Sequence, residues 1–435
     1  MRQTLLALAL LTSLAACQKA ESPTAPATDG QATAAAVSAA DAAFTDLSAR
    51  ALEGWFQLSP VSATQIGDHR FDGELDDLSE AGRARGLEFS QNLLAELQAL
   101  DVAALSRENQ VDAAILRNQL QYDIWNAQTL QGWAWDPQLY SGLAGQAIYG
   151  LMAREFAPLP ERLKSATARM QKIPALLAQA RANLDPARVP KVHAETVARQ
   201  NAGVLGIVDT FITPHLDQLD PADRQQAQAA IDGLKTAVAE HQKWLDETLV
   251  PNAKGEFRVG AEVYDQKLQF ALLSSLSRAE IKQRAEAELV RVRGEMYAIA
   301  QQVLKDTAGA PQLPDNPSPQ QQQKAIEAAL ELAYAQHPAR DQVVADARVA
   351  LDRATAFVRE HDLVTVPDAP VEIIEMPEFQ RGVAVAYADS PGPLDKNLKT
   401  FYAVSPMPED WTDAQVESFL REYNSRMIDL LSIHE

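Results

Sequence analysis

Two adjacent residues, His434 and Glu435, are of the types that zinc hydrolases use together. A hydrolytic zinc site takes neutral imidazoles as ligands, leaves one position open for water, and needs a carboxylate near that water as general base. A His–Glu pair on a helix supplies one ligand and, on the adjacent face, the base. The pair therefore predicts His434 as a metal ligand and Glu435 as a catalytic residue. Since any His–Glu dipeptide can arise by chance, an incidental pair remains the alternative.

A second candidate is Tyr402, which lies in a short β-rich stretch at residues 400–404. Because extended peptides often bind along a sheet edge by adding a strand, Tyr402 is a candidate for contacting substrate. Alternatively, Phe401 and Tyr402 pack on the two faces of the strand. Two interpretations also stand for an aromatic group further upstream, which either lines a cleft or belongs to the core: Trp125, Trp133, Trp135 and Tyr140.

Other familiar catalytic patterns are missing from the sequence. It has seven histidines, no two of them near enough for a local metal pair, and no complete H-E-x-x-H, G-x-S-x-G or glycine-rich phosphate loop. Its 59 acidic and 39 basic residues give a net charge of −20, which repels nucleic-acid phosphates. We therefore expect no nucleic-acid partner.

The stretch that must position His434 and Glu435 spans residues 412–435. Thr412 is a suitable N-cap, and Gln415 three residues later completes a capping-box pattern. One helix face then recurs at spacings of four, three, four, three and four: Val416, Leu420, Tyr423, Met427, Leu430 and His434. The pattern predicts one continuous helix whose buried face ends in the histidine. Because no capping residue follows, we expect this helix to fray.

The rest of the chain predicts a mainly α fold. Helical periodicity runs behind clear start signals such as Ser59-Pro60, Asp220-Pro221 and His337-Pro338. The capping box of Ser277 with Glu280 predicts the start of a long helix, with one face formed by Ile281, Ala285, Leu289, Val292, Met296 and Val303. Strand signals are confined to about residues 370–405, at residues 371–374, 383–387 and 400–404. We therefore predict a large multi-helix body with a small β-sheet preceding the His–Glu helix, in a single domain over residues 41–435.

The N-terminus carries an export signal. Met1 and Arg2 give a positive start, residues 5–11 are apolar, and the run is too short for a stable membrane span. The Leu-Ala-Ala-Cys sequence that ends at Cys17, the only cysteine, resembles the bacterial lipobox. We predict a lipoprotein signal peptide at residues 1–17 with lipid attachment to Cys17. The alternative is a plain signal peptide with a chance cysteine.

A tether follows the signal. Residues 18–40 are rich in Ala, Thr, Ser and Pro with few large apolar groups, so they cannot bury enough surface to fold. In lipoproteins of this kind, a residue other than Asp after the cysteine, here Gln18, implies the outer membrane. We expect a lipid-anchored protein of the cell envelope, on the periplasmic face of the outer membrane, with the membrane as a partner through the lipid.

Three stretches carry a family resemblance. Residues 391–435 are similar to the segment that leads into the active site of the bacterial domain-of-unknown-function family 885. Residues 62–72 resemble its A-T-x-x-G-x-H signature, which includes Gly67 and His69. Residues 257–264 resemble its F-R-x-G…Y element. The family is grouped with the zinc metallopeptidases, and its helix continues from His-Glu into H-E-x-x-P-G-H.

This resemblance implies a function, and it also implies that residues needed for that function are missing from these 435 residues. It matches His434 to the first metal-binding histidine and Glu435 to the catalytic glutamate, and it implies zinc and a peptide substrate for the full-length protein. The second histidine and every later ligand have no counterpart in these 435 residues. Since catalytic zinc normally takes three protein ligands, we expect a truncated, inactive chain that binds no zinc stably. His69, after Gly67, is expected to have a structural role at a turn.

A second hypothesis comes from a different class of protein. The chain would be a lipid-tethered helical binding or scaffold protein without catalysis, and its His434–Glu435 pair would be incidental. The metal content of a longer chain and the effect of changing Glu435 distinguish the two hypotheses.

Overall fold

The computed structural model describes residues 38–369, 371–381 and 384–435. The predicted signal peptide, Cys17 and most of the predicted tether lie outside the described residues. By their internal contacts, the described residues form two compact units. Unit 1 comprises the chain up to Ser274 with two later segments, Glu378–Gln380 and Pro391–Leu398; unit 2 comprises Ser275–Pro377, Arg381–Ser390 and Lys399–Glu435. Because compact units of this kind can belong to one folding domain, the single-domain prediction remains a prediction.

Unit 1 is helical. Its α-helices are α1 Ala39–Leu58, α2 Pro60–Ile66, α3 Glu80–Ala99, α4 Arg107–Trp125, α5 Gly132–Trp135, α6 Gln138–Met152, α7 Leu159–Asn183, α8 Lys191–Gln200, α9 Gly203–Phe211, α10 Pro221–Trp244, α11 Val250–Asn252 and α12 Ala261–Leu272. Two π-helical turns, Asn126–Leu130 and Leu245–Leu249, extend α4 and α10.

The predicted start and stop signals explain several of these bounds. Pro60 opens α2, and Gly67 ends it in a left-handed conformation, with φ of 93°. The Asp220 side chain accepts hydrogen bonds from the backbone N–H groups of Ala222 and Asp223, and so caps α10. The Asp220 cap satisfies donors at a helix start, and the Gly67 N–H donates to the Ala63 and Thr64 carbonyls at a helix end. These helix starts are confirmed.

The largest core of unit 1 lies between α6, α7 and α10. Met170, Ile173 and Leu176 of α7 are fully or almost fully buried there. Burying a side chain of this size contributes roughly 1.5–3 kcal/mol relative to exposure. A separate core joins α1, α3 and α4 through Phe44, Leu97 and other apolar residues. The buried apolar residues of α7 therefore hold this helix in place, and α7 in turn supports the backbone segments that it contacts.

Unit 2 combines helices with a three-stranded sheet. Its elements are α13 Arg278–Leu304, α14 Pro319–Tyr334, α15 Val343–Glu360, β1 Val371–Glu375, β2 Ala386–Asp389, β3 Thr400–Val404, α16 Asp413–Glu422 and α17 Ser425–His434. The strand order is β1-β3-β2, with β1 parallel and β2 antiparallel to β3. The mainly α class with a small sheet before the His–Glu helix is confirmed.

Two sequence predictions in unit 2 are wrong. No helix starts at His337-Pro338; the next one, α15, begins at Val343. In α13, the capping box of Ser277 and Glu280 forms as predicted, but the buried face carries Tyr297, Ala300 and Leu304. Large apolar residues of the predicted face, such as Leu289 and Val303, are exposed. Apolar residues occur on both faces of this helix, so periodicity alone could not select the packed one.

Over the part of the chain that the structure describes, no helix is both long enough and apolar enough to cross a membrane.

Candidate functional site

The stretch before His434 and Glu435 is two helices rather than one. Helix α16 ends at Glu422, and Tyr423 has φ −87° and ψ 41°. Asn424 then caps α17, its side chain accepting hydrogen bonds from the backbone N–H groups of Arg426 and Met427. Asparagine is among the strongest N-cap residues, and here its local bonds outweigh continuation of the helix. The prediction of one continuous helix is wrong.

The break changes which residues are buried. Helix α17 buries Ile428 and Ser432, whereas Leu430, on the predicted stripe, is 63% exposed. His434 is exposed as well. The prediction that His434 ends a buried face is therefore wrong, because the restart at Asn424 rotates α17 relative to the spacing of α16.

Glu435 makes a specific contact with the sheet. One of its carboxylate oxygens, Oε2, accepts a hydrogen bond from the backbone N–H of Ala388 at 2.7 Å. Ala388 lies in β2, opposite Tyr402 of β3. Among the described residues β2 pairs with β3 alone, so its other side is an edge free of a further strand. An N–H that bonds Glu435 points away from β3, so the carboxylate lies at this free edge.

Tyr402, which lies on β3 opposite Ala388, is buried. Its side chain is 2% exposed, and its hydroxyl lies 3.4 Å from the Ser432 hydroxyl. Burial raises the pKa of Tyr402, and the Glu435 charge raises it further. The location agrees with the core-packing interpretation, while a substrate contact by Tyr402 remains a prediction. Its strand β3 is central, so the free edge belongs to β2 instead.

Tyr423 completes this group. Burial raises its pKa well above the ordinary value, and the neighbouring Tyr402 and Glu435 raise it further. Both phenols are therefore protonated at neutral pH and can donate hydrogen bonds. We refer to Tyr402, Tyr423, Ser432 and Glu435 as the edge cluster.

The described residues do not fit a zinc ion by themselves. No group of three or more His, Cys, Asp or Glu side chains within residues 38–369, 371–381 and 384–435 has the geometry to hold a metal. His434 and Glu435 supply one imidazole and one carboxylate, whereas a catalytic zinc takes three protein ligands.

The other signature histidine, His69, has a different environment. Its Nδ1 lies 3.0 Å from Asp72 Oδ2, and its Nε2 lies 3.1 Å from Asp395 Oδ1. Its ring stacks on Phe156 at a centroid distance of 3.6 Å. Burial lowers the pKa of His69, but the two carboxylates outweigh burial and raise it above the ordinary value. Both ring nitrogens are engaged, in agreement with the expected structural role.

The Gly67 conformation brings the partner loop close. A Cβ atom at Gly67 would lie 2.6 Å from the backbone nitrogen of Asp395, so any larger residue would displace the loop. The backbone N–H of Leu394 donates to the Ile66 carbonyl at 2.9 Å. Sequence reasoning missed Asp395, and no local signal could have found it, because it lies 326 residues after His69.

A buried arginine supports the backbone around His69. The Arg169 guanidinium, fully buried on α7, donates to the Thr64 hydroxyl at 2.7 Å and to four carbonyls, those of Glu74, Ala147, Pro60 and Phe71. Burial lowers its pKa to about 10, so it stays charged at neutral pH. Sequence reasoning missed Arg169 too. The available signal was its position on the apolar stripe of α7.

The chain is similar to known bacterial proteins in sequence and in structure. The sequence profile of the family described as "Bacterial protein of unknown function (DUF885)" matches residues 60–435. A candidate lipoprotein of unknown function from Shewanella oneidensis has a similar structure, with a TM-score of 0.67 and 29% identity over 90% of this chain and 70% of that chain. A candidate lipoprotein from Colwellia psychrerythraea, at 15% identity, has a TM-score of 0.58 over 91% and 71% of the two chains. The second similarity shows the fold alone. No curated protein matches the sequence.

Proposed function

Since the chain belongs to the bacterial family of unknown function DUF885, we propose that this family hydrolyses peptide bonds with a zinc-activated water. In this proposal His434 is the first metal ligand and Glu435 the general base. The remaining ligands have no counterpart among the described residues. We therefore expect the 435-residue chain neither to bind zinc stably nor to cleave peptides.

The observation that carries the proposal is the position of Glu435 at the free edge of β2. Its Oε2 accepts the Ala388 N–H at 2.7 Å, which fixes the carboxylate beside the edge strand β2. A peptide that adds to this edge as a further strand runs past that carboxylate. A general base must lie within hydrogen-bond reach of the proton that it removes, and this position brings Glu435 close to a peptide bound at the edge.

The buried tyrosines support this role for Glu435. Since Tyr402 and Tyr423 keep their protons at neutral pH, they add no negative charge beside the carboxylate. Both tyrosines belong to one buried apolar cluster of unit 2. The edge cluster thus holds one acidic group in a defined place.

The test compares two chains, the 435-residue protein and a longer chain whose reading frame continues the H-E-x-x-P-G-H motif. We expect the longer chain to retain zinc after dialysis and to cleave a fluorogenic peptide library. Glu435→Gln in it should lower the cleavage rate at least about 100-fold. A longer chain that retains no metal, together with unchanged cleavage after Glu435→Gln, would replace this proposal with the lipid-tethered binding or scaffold protein.

We also propose that the protein is anchored in the cell envelope by a lipid on Cys17, on the periplasmic face of the outer membrane. The two similar structures are described as candidate lipoproteins, which supports envelope association. Mass spectrometry of the membrane fraction should find an acylated N-terminal cysteine. Cys17→Ser should move the protein to the soluble fraction, and a variant that stays acylated or membrane-bound would refute the anchor.

A further inference from the structure

Unit 1 contains an open cavity that the proposed function does not use. It has a volume of about 350 Å³ and lies among the turn after α4, the turn before α8 and the segment that leads into α12. This volume is within the range of small-ligand sites, roughly 300–1,000 Å³. We call it the Trp135 pocket; the lining residues used below are Leu130, Trp135, Arg188, Lys254, Val259 and Val263.

One wall of the pocket is apolar and rigid. The Trp135 indole N–H donates to the Leu130 carbonyl at 2.8 Å, which holds the ring in place. Leu130, Val259 and Val263 are half-buried around the pocket and offer aliphatic surface. A tethered indole beside aliphatic groups suits the flat or apolar body of a small molecule.

The pocket also contains two cations, Arg188 and Lys254. Within the part of the chain that the structure describes, neither forms an ion pair with a carboxylate, although the protein has 59 acidic residues. The Arg188 guanidinium donates instead to the Gln131 side-chain oxygen at 2.9 Å. The acidic lining residue Glu256 bonds Arg258 at 3.3 Å. Two cations without acidic partners favour a ligand with negative charge.

The backbone around these cations is held in fixed positions. The Lys254 N–H donates to the Pro186 carbonyl at 3.0 Å, and the Gly255 N–H donates to the Val189 carbonyl at 2.9 Å. A Cβ atom at Gly255 would lie 1.9 Å from the Arg188 carbonyl oxygen, so only glycine permits this approach. Backbone hydrogen bonds thus join the segment that contains Arg188 directly to the segment that contains Lys254.

A strained residue, Gln131, directly follows the lining residue Leu130. Gln131 has φ 52° and ψ 47°, a left-handed conformation that is uncommon outside glycine, and it follows the π-helical turn Asn126–Leu130. Wide turns and strained residues of this kind are concentrated at functional sites. Here the strain directs the Gln131 amide oxygen to Arg188, which orients the guanidinium.

We propose that the Trp135 pocket binds a small ligand with a carboxylate and an apolar or aromatic body. The carboxylate lies at Arg188 and Lys254, and the body lies against Trp135. The charge is matched by a monoanion, since Glu256 opposes a more highly charged phosphate. A free organic acid and the C-terminal carboxylate of a short peptide both have this chemistry. The site shares no residue with the edge cluster.

Calorimetry with the whole protein tests the proposal with matched probes. These are 3-phenylpropionate, its amide, the dipeptide Ala-Phe, the amide of that dipeptide, and inorganic phosphate. We expect each acid to bind about tenfold or more tightly than its amide, because a charge-assisted contact is lost in the amide. Tighter binding of Ala-Phe assigns the peptide terminus as the source, and tighter binding of 3-phenylpropionate assigns a free acid.

Variants separate the two halves of the pocket. Arg188→Gln with Lys254→Met should remove the preference for acid over amide, while Trp135→Leu should weaken both probes. Lys243→Met, at an exposed lysine of α10, is the matched control and should bind like the unchanged protein. Equal binding of acid and amide, unchanged binding in the double variant, or phosphate binding tighter than either acid would overturn the proposal.

Discussion

His69 and His434 both belong to stretches that match one family, yet their surroundings are opposite. His69 lies between two carboxylates and stacks on Phe156, so each ring nitrogen has a partner within unit 1. His434 is exposed at the end of α17. Both ring nitrogens of His69 are engaged, which agrees with a structural role, whereas the exposed His434 is a metal ligand only in the proposed function. The family motif alone does not distinguish these two environments; burial and hydrogen-bond partners do.

The two regions also differ in how they are supported. The buried guanidinium of Arg169 donates hydrogen bonds to backbone carbonyls near His69, those of Glu74 and Pro60. In the His434 region, the adjacent Glu435 is tied to one backbone N–H, that of Ala388. Substitutions should therefore be costly around His69 and mild around His434.

The largest expected effect is that of Arg169→Met. This change removes a fully buried guanidinium and with it one hydrogen bond each to the carbonyls of Glu74, Ala147 and Pro60. We expect the free energy of unfolding to fall by about 3–5 kcal/mol, as for other buried charged groups that lose a partner. Urea unfolding followed by circular dichroism measures this. The control is Arg199→Met, at an exposed arginine of α8, and a loss no larger than that of the control would contradict a supporting role.

A smaller loss is expected for His69→Gln, about 1–2 kcal/mol at low pH, from two charge-assisted bonds in a partly exposed setting. Because the folded-state pKa of His69 is raised, the stabilisation is fully present below the unfolded value of about 6.5. It is lost as the pH rises through the folded value. The difference between the two proteins should therefore shrink above neutral pH.

Unfolding free energies at several pH values test this, and the comparison with the variant is essential. Burial raises the pKa of Asp76 to about 6 and that of Asp123 to about 7, so these groups also change stability in the same range. They are present in both proteins and cancel in the difference. A difference that grows above neutral pH would mean that His69 is not held as a cation.

Asn424→Ala should have an effect confined to unit 2. The change removes the cap of α17 and should cost about 1 kcal/mol. Hydrogen exchange should speed up at Arg426 and Met427, whose N–H groups bond the Asn424 side chain. Asn201→Ala, a buried asparagine of unit 1, provides a comparison whose exchange effects should stay in unit 1. Unchanged exchange at the start of α17 would show that the cap is unimportant.

The smallest effect is expected for His434→Ala, below about 0.5 kcal/mol, because the side chain is exposed. The paired measurement is His69→Ala under the same conditions. Equal losses of unfolding free energy at the two positions would contradict the contrast between the two histidines. A much larger loss at His69 would support it.

Local signals in the sequence predicted much of the fold. The proline and capping signals located the starts of α2, α10 and α13, and β3 lies at the predicted residues. Such signals act within a few residues, so they can be seen in one segment. The failure at Asn424 arose where two local preferences competed, and the capping bonds of Asn424 outweighed continuation of the helix. The start signal at His337-Pro338 did not produce a helix, and α15 begins at Val343 instead.

The candidate sites were less accessible to sequence reasoning. The bond from Glu435 to Ala388 spans 47 residues, and no pattern in either segment indicates the other. The Trp135 pocket brings together residues from three separate segments, of which only Trp135 was singled out, as part of an aromatic group. Sites formed by distant segments depend on tertiary packing, which a single sequence does not specify locally.

The contact between His69 and Asp395 has a consequence for the timing of folding. At a synthesis rate of about 5–20 residues per second, the 326 residues between them take roughly 16–65 s to make. Until then the imidazole has one carboxylate partner, and the turn after α2 lacks its final constraint. The contact between His69 and Asp395 can therefore form only late, after Asp395 has been synthesised. Only then does unit 1 contain the last of its segments, Pro391–Leu398.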